Sequence, residues 1–171
     1  TFFDVSLGQL RTNQVFLIGE VEAPGAYQIS SVASAFNALH AAGGPTAIGS
    51  FRAVAVRRGG ETVATVDLYD YLLSGEVSDD VRLEQGDVVF VPLAGPQVRM
   101  TGEVRREAIY ELKQGEDIRD AIGFAGGLTA AGDGDRILID RVIPPSERVG
   151  LTQRSVVDLR LTDLPEDSLV V

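Results

Sequence analysis

Apolar and polar residues follow a strand-like pattern at the start of the chain. Residues 15–18 form a β-branched and aromatic run that ends at Gly19, and residues 26–29 predict a returning strand. Between them, Pro24 and Gly25 are typical of a turn, since proline fixes φ and glycine supplies a positive φ. The pattern therefore predicts a β-hairpin.

An amphipathic helix is predicted after this hairpin. Ser30 or Ser31 can cap its start, and Gly43 with Gly44 can end it in left-handed backbone. These glycines follow the helix, so their amides do not form a phosphate loop at a helix N-terminus. The apolar face at helical spacing is Val32, Ala35, Phe36, Leu39 and Ala42.

A second hairpin and a closing strand complete the pattern. Residues 53–57 and 62–67 alternate around a short loop at 58–61. A helical turn is predicted at residues 68–73, and a short apolar strand at residues 87–91, after Gly86. This order predicts an α+β domain of the β-grasp type, in which one main helix packs on a face of a small mixed sheet.

Most of the pattern occurs a second time, with matching residues 83 positions apart. Val15, Gly19, Glu20, Val21 and Tyr27 recur as Val98, Gly102, Glu103, Val104 and Tyr110; Ala42, Gly43, Gly44, Thr46 and Arg58 recur as Ala125, Gly126, Gly127, Thr129 and Arg141. Later matches lie 91 positions apart, which places eight extra residues between Val142 and Thr152. We therefore predict two tandem domains, residues 1–94 with a core at 15–92, and residues 95–171.

The second copy repeats the helix and lacks the closing strand. Glu116 and Asp117 place two carboxylates where the helix macrodipole favours them. The apolar stripe of the helix is Ile118, Ala121, Ile122 and Ala125. No counterpart of Gly86 and Asp87 appears before residue 171. We expect the C-terminal strand of this copy to be missing or supplied from elsewhere, as in a segment of a longer protein.

Composition and charge limit the kinds of ligand and of catalytic site that the chain can have. Fifteen Lys and Arg against twenty-five Asp and Glu give a net charge of −10, which disfavours binding to nucleic acid or to anionic lipid. With no cysteine and one histidine, a Cys/His zinc site and a thiol nucleophile are excluded. No apolar run reaches the ~20 residues of a membrane helix. We predict neither a metal nor a cofactor.

No catalytic constellation is predicted. Glu20 and Glu103 occupy equivalent positions of separate domains, whereas glycoside chemistry needs two carboxylates roughly 5–10 Å apart in one cleft. Asp133 and Asp135 lie in a glycine-rich loop that lacks the further ligands of a calcium site, so a solvated turn is predicted. His40 has no counterpart in the second copy and is predicted to lie on the surface.

Several residues are candidates for glycan or partner contacts. The recurring tyrosines suit sugar stacking or a half-buried place in a hairpin, and the arginine pairs suit an acidic glycan, a neighbouring protomer or solvated strand ends. The inserted residues 142–150 contain a stiff Pro-Pro pair and are predicted to reach a partner or the next protomer, or else to be a tolerated insertion. The candidates are Tyr27, Tyr110, Arg57, Arg58, Arg105, Arg106, Pro144 and Pro145.

The combination of matched motifs resembles a known family. The string Val15-x-x-x-Gly19-Glu20-Val21-x-x-Pro24-Gly25-x-Tyr27, followed by Ala42-Gly43-Gly44, Asp67-Leu68 and Leu83-x-x-Gly86-Asp87-x-Val89, is similar to the soluble-ligand-binding β-grasp domain, SLBB. Tandem copies resemble those of periplasmic polysaccharide export proteins. The second copy departs from the pattern at Glu107 and Ala108, where Pro-Gly is expected, so its first hairpin must turn differently.

The resemblance implies a non-enzymatic role in the periplasm. Protomers of that family assemble into a homo-oligomeric ring around a passage for the polysaccharide in a protein of the outer membrane. They contact a partner from the inner-membrane polysaccharide synthesis machinery, the co-polymerase. The alternative is a small-ligand module that binds a saccharide or a cofactor, because related domains occur in other proteins and the fold alone does not define the ligand.

Overall fold

The computed structural model describes residues 11–76, 80–142 and 153–163. The chain divides into two compact units, Thr1–Gly95 and Pro96–Val171, called unit 1 and unit 2 here. Each combines β-strands with short helices, which confirms the predicted α+β class. Within the described ranges, no helix has the length and apolar character needed to cross a membrane.

Unit 1 contains one five-stranded mixed sheet. Its strands are β1 (Thr12–Gly19), β2 (Gly25–Ser30), β3 (Val54–Arg58), β4 (Glu61–Val66) and β5 (Val88–Val91). Their order across the sheet is β2-β1-β5-β3-β4. The first hairpin, the second hairpin and the closing strand thus all form where the sequence pattern predicts them.

Strand β5 lies in the middle of this sheet. It runs parallel to β1 and antiparallel to β3. The amide of Phe16 donates to the carbonyl of Asp87 at 2.9 Å, and the amide of Glu20 donates to the carbonyl of Val91 at 2.9 Å. The last strand of the unit therefore joins its two hairpins into a single sheet.

Helix α1 (Ala35–Ala41) begins later than predicted. Its N-cap is Ser34, whose amide donates to the side chain of Asn37 at 3.1 Å, so the predicted caps Ser30 and Ser31 are wrong. Val32 lies before the helix and is 60% exposed, so it does not belong to the apolar face. The amide of Ser31 bonds to the carbonyl of Arg11, which keeps this stretch attached to the strands.

The turn before β2 also differs from prediction. Gly25 does not adopt a positive φ, and it is the first residue of β2, paired with Leu17. The residue of this hairpin whose backbone conformation requires glycine is Gly19, which has a φ of 87°. A Cβ at Gly19 would overlap the carbonyl oxygen of Val91, so β5 approaches β1 closely there.

The core of unit 1 lies between the sheet and α1. Alternate residues of the strands point toward the helix, as expected for a sheet with one covered face. A π-helical turn (Asp70–Ser74) follows β4 in the region predicted to be helical. The largest apolar side chains that are almost fully buried are Val15, Leu17, Leu39, Val54, Val56, Leu83, Val89 and Val91.

Unit 2 repeats these elements in part. Strands β6 (Gln97–Met100) and β7 (Ala108–Glu111) form one hairpin, and β8 (Ile137–Val142) and β9 (Arg154–Leu159) form another. Between the hairpins lies α2 (Ile118–Phe124). The sequence predicts a mixed sheet for each copy, but the described strands of unit 2 form two separate two-stranded sheets. No described strand takes the place that β5 occupies in unit 1.

Helix α2 begins where the sequence predicts. Asp117 caps it by accepting from the amides of Arg119 at 2.6 Å and Asp120 at 3.3 Å. The predicted stripe faces inward, with Ile118, Ala121, Ile122 and Ala125 all buried. A short 3₁₀ turn (Leu161–Asp163) follows β9, and the amide of Leu161 bonds to the carbonyl of Gly134 at 2.8 Å.

We predict that Gly19→Ala destabilises unit 1 far more than Gly102→Ala destabilises unit 2. Both glycines have a positive φ, 87° and 89°, but a Cβ at Gly102 meets no described atom within 4 Å. Gly102→Ala should cost about 1–2 kcal/mol from backbone strain alone. Gly19→Ala should cost about 3 kcal/mol or more, because the clash with β5 adds to the strain.

Amide hydrogen exchange in β1 measures the unfolding free energy of unit 1, and exchange in β6 measures that of unit 2. Both are obtained from one sample of each variant. Equal losses in the two variants would show that the approach of β5 does not constrain Gly19.

Candidate functional site

The two recurring tyrosines form the same contact in both units. The Tyr27 hydroxyl donates to the carbonyl of Ala23 at 2.6 Å, and the Tyr110 hydroxyl donates to the carbonyl of Arg106 at 2.9 Å. Tyr27 is half-buried against the core, whereas Tyr110 is only 7% exposed and lies 6.4 Å from the ring of Phe124. Each hydroxyl closes the turn of its own hairpin. A glycan contact at these rings stays a prediction.

Arg105 and Arg106 lie beside the end of α2. The Arg106 guanidinium donates to the carbonyl of Phe124 at 2.9 Å, and Arg105 Nε donates to the carbonyl of Leu128 at 3.3 Å. Cations and donors at a helix C-terminus satisfy its last carbonyls. Their part in binding a glycan stays a prediction, and Pro144 and Pro145 lie outside the described residues.

Arg57 and Arg58 have different surroundings although they are adjacent. Arg57 is exposed, and its guanidinium lies 4.8 Å from the centre of the Phe90 ring, within cation–π range. Arg58 points to the loop before β5, where it binds the carboxylate of Asp87 through two hydrogen bonds of 2.9 and 2.8 Å. It also contacts Glu84 at 2.7 Å. Arg58 therefore positions β5.

Asp87 is the fully buried member of this cluster. Burial favours its neutral form, but hydrogen bonds from Arg58 and from the amide of Glu84 favour the carboxylate and prevail. The pKa of Asp87 consequently lies below its usual value. The Gly86-Asp87 pair of the motif thus serves the placement of a strand, with the charge of Asp87 matched by Arg58.

A buried ion pair lies at the other end of the β3–β4 hairpin, where Arg52 precedes β3 and Asp67 follows β4. Arg52 and Asp67 are each 6% exposed in their side chains and approach to 3.0 Å. The Asp67 carboxylate also accepts from the amide of Tyr69 at 2.9 Å, and the Arg52 guanidinium lies 4.6 Å from the centre of the Tyr69 ring. This pair anchors the start of the helical segment after β4 and is not available to a ligand.

Unit 1 exposes an apolar surface on the side of its sheet away from α1. Side chains alternate along each strand, so the neighbours of the buried core residues point outward. Phe16 and Ile18 are 39% and 43% exposed, and Phe90 lies beside them in β5. The outer sheet face, as we call it, consists of Phe16, Ile18, Ala55, Val88 and Phe90. It crosses three neighbouring strands, β1, β5 and β3.

A cavity of about 300 Å³ lies at the C-terminal end of α1. The apolar walls include Phe36, Leu39 and Phe51. Leu72 of the π-helical turn also lines the cavity and is 53% exposed. His40 also lines it, which adds the one imidazole of the chain to an otherwise apolar site. The full lining is Phe36, Leu39, His40, Gly43, Gly44, Pro45, Phe51, Leu68 and Leu72.

The acidic residues do not gather into a metal centre in the part of the chain that the structure describes. No group of three or more His, Cys, Asp or Glu side chains there could hold a metal ion. Glu103 accepts from the hydroxyl of Thr129, and Asp133 accepts from the amide of Asp135 at 2.9 Å. These contacts stabilise loops of unit 2.

The sequence motifs predict neither the outer sheet face nor the cavity, for a physical reason. Phe16 and Ile18 have the composition of a core strand, and only the burial of Val15 and Leu17 against α1 shows which face the helix covers. The cavity depends on Leu72, which reaches it from a turn far from α1 in the chain. The unbroken apolar run at residues 15–18 is the available signal, because alternation along a strand turns half of such a run outward.

We predict that Asp87 makes unit 1 sensitive to acid. Because the fold lowers the pKa of Asp87 below its ordinary 3.8, the stabilisation is present above that value and is lost as pH falls through the folded value. Asp87→Asn should lower stability near neutral pH and reduce the further loss on acidification. Unfolding measured from about pH 6 to about pH 2 tests this.

Glu84→Gln is the matched control, because Glu84 also contacts Arg58 but has a side chain that is 66% exposed. The stability of this variant should depend on pH in the same way as that of the unsubstituted chain. If Asp87→Asn kept the same dependence too, the assigned role of Asp87 would be wrong.

Comparison with known families agrees with the repeat and with the fold. A family model described as an SLBB domain matches residues 13–91, and a second SLBB-domain model matches residues 97–152. The first match includes β2 to β5 and all of β1 except Thr12, and the second extends from β6 past the end of β8. Together they cover well over half of the chain and confirm the resemblance found in its motifs. The chain belongs to the SLBB-domain family and carries two of these domains in tandem.

Proposed function

We propose that this chain is a non-enzymatic, periplasmic module of a polysaccharide export protein, and that it builds a ring around the glycan passage. The outer sheet face carries the proposal, because an exposed apolar surface across three strands is suited to assembly. The tandem SLBB domains support the same role. Of the motif residues, Gly19 serves backbone geometry and Asp87 serves strand placement.

The outer sheet face has the composition of a protein interface. Its centre has two phenylalanines, Phe16 and Phe90, and Arg57 stacks on the second of them. Aromatic residues with an arginine are enriched where proteins meet. Burial of Phe16 and Ile18 would remove apolar surface from water without disturbing the core, which lies on the opposite side of the sheet.

The acidic net charge favours the passage of an anionic polysaccharide over its binding. With a net charge of −10, carboxylates along a passage would repel an anionic polysaccharide and keep it from adhering. In this proposal residues 142–150 contact the next protomer or the inner-membrane co-polymerase. Tyr27, Tyr110 and the four arginines remain the proposed glycan or partner contacts.

We predict that Phe16→Ser combined with Ile18→Ser weakens self-association of the chain. The substitutions remove the two most exposed apolar side chains of the outer sheet face. Sedimentation velocity over a range of concentrations should show reversible association of the unsubstituted chain and an association constant at least about tenfold lower in the variant. Circular dichroism checks that both are folded.

Val32→Ser is the matched control, because Val32 is 60% exposed but lies outside the outer sheet face. It should associate like the unsubstituted chain. Equal weakening by Val32→Ser, or a monomer at every concentration, would contradict assembly through this face.

We also consider a second function, binding of a small soluble ligand, because of the cavity beside α1. Its volume of about 300 Å³ is at the lower end of small-molecule sites. Phe36 and Phe51 offer rings on which the apolar face of a sugar or the ring of a cofactor could stack, and His40 offers a hydrogen bond. A saccharide or cofactor would then be the ligand.

For this second function, Leu72→Arg should abolish saturable ligand binding without unfolding the domain. Leu72 is 53% exposed, so a long charged side chain can extend across the cavity at little cost to stability. Nuclear magnetic resonance titration with neutral and uronic-acid disaccharides measures the binding. Leu93→Arg, at an exposed leucine that does not line the cavity, is the control. Equal binding by both variants would argue against the cavity.

A further inference from the structure

Two exposed arginines of unit 2 converge on a single glycine. Arg105 and Arg106 lie between β6 and β7, beside the C-terminal end of α2. A Cβ at Gly126 would lie 3.7 Å from Arg106 Nε and 3.8 Å from Arg105 Cδ, so both side chains pass over this residue. Glycine has no side chain to separate or cover them. We call the surface formed by Arg105, Arg106 and Gly126 the arginine platform.

Backbone carbonyls hold the two side chains of the arginine platform in place. Arg105 Nε donates to the carbonyl of Leu128, and a terminal nitrogen of Arg106 donates to the carbonyl of Phe124. Arg105 keeps both terminal nitrogens for a ligand, and Arg106 keeps Nε and its other terminal nitrogen. A guanidinium that is already oriented loses less entropy when it binds an anion.

The carboxylates nearest to these arginines in the sequence bond elsewhere. Glu103 accepts from the hydroxyl of Thr129, and Glu107 accepts from the amide of Gly102 at 2.6 Å. Within the described ranges, the two guanidiniums contact carbonyls and no carboxylate. Two cations that meet over one glycine repel each other, so an external anion is favoured between them.

Unit 1 has the same backbone arrangement without the arginines. The equivalent amide-to-carbonyl hydrogen bonds, each 3.0 or 3.1 Å long, are Glu22 to Gly44 and Ala23 to Ala42 in unit 1, and Arg105 to Gly127 and Arg106 to Ala125 in unit 2. A carboxylate and a methyl group thus take the places of the two guanidiniums. The turn therefore forms without arginines, and the positive charge is particular to unit 2.

We propose that the arginine platform binds carboxylates of an acidic polysaccharide, that is, of a polymer containing uronic acids. This inference rests on the proposed function and adds the chemical class of the polymer. A guanidinium binds a carboxylate through two parallel hydrogen bonds. Exposed ion pairs are weak, so we expect a dissociation constant of about 1 mM or higher for a short oligosaccharide. Weak, local contacts in a chain of net charge −10 allow the polymer to move on.

Nuclear magnetic resonance titration of the full chain with a galacturonic acid tetramer tests the proposal. The Nε–H resonances of Arg105 and Arg106 should shift in a saturable way, and binding should weaken at least about fivefold between about 50 mM and about 300 mM salt. The methyl-esterified tetramer, which has the same sugars without the charges, should give no saturable shift. Equal shifts with both tetramers, or none with either, would overturn the proposal.

Removal of the two charges should remove the binding. Arg105→Gln with Arg106→Gln should lower the association constant at least about fivefold. Arg136→Gln with Arg154→Gln is the matched control, because it removes the same charge from exposed arginines of unit 2 that are already paired with Asp158 and Asp140. The control should bind like the unsubstituted chain, and an equal loss in both variants would contradict a site at the arginine platform.

Transfer of the pair to unit 1 tests the site without altering the fold of unit 2. Glu22 and Ala23 are exposed, so Glu22→Arg with Ala23→Arg places two guanidiniums on the equivalent turn. A second set of saturable shifts should then appear at residues 22, 23 and 43. Their absence would contradict the proposal.

A second copy of the chain is the competing occupant of the arginine platform. Shifts at Arg105 and Arg106 that grow with protein concentration in the absence of sugar would overturn glycan binding, because carboxylates of another copy would then fill the site. The two proposals fail separately. Loss of glycan binding would leave ring assembly standing, and a monomeric native mass would leave saturable binding at the platform standing.

Discussion

Unit 1 depends on one strand that arrives last in the chain and occupies the centre of the sheet. Without β5, its two hairpins would share no backbone hydrogen bonds between their strands, because β1 and β3 each pair with β5 on the side facing the other. The contact of Arg58 with Asp87 and the close approach at Gly19 both serve its insertion. Several of the residues by which the family is identified are therefore those that seat this strand.

The recurring motif residues described above make structural contacts. Positions that recur between the copies close hairpins, end helices or admit a strand, as Tyr27 and Tyr110 illustrate with the same backbone contact. The surfaces open to partners differ between the copies: Phe16 and Ile18 of unit 1 correspond to Arg99 and Thr101 in unit 2. Tandem domains of one fold can thus present unlike faces while sharing one architecture.

Local sequence signals predict the fold well, whereas contacts between residues far apart in the chain cannot be predicted from the sequence. The start of α2 is predicted at Glu116 and Asp117, because carboxylates are favoured in the first turn of a helix, and the structure places the N-cap at Asp117. The start of α1 is predicted too early, because Ser30 and Ser31 have the same chemistry as Ser34 and only tertiary contacts decide among them. Likewise, the burial of Arg52 with Asp67 and the cavity beside Leu72 depend on packing between distant segments.

We propose that these domains act by assembly around a glycan passage. The native mass of the full-length polypeptide, purified from the cell-envelope fraction, tests it most directly. We expect one closed assembly of several copies. A monomer in that fraction, or a polypeptide found only in the cytoplasm, would contradict it.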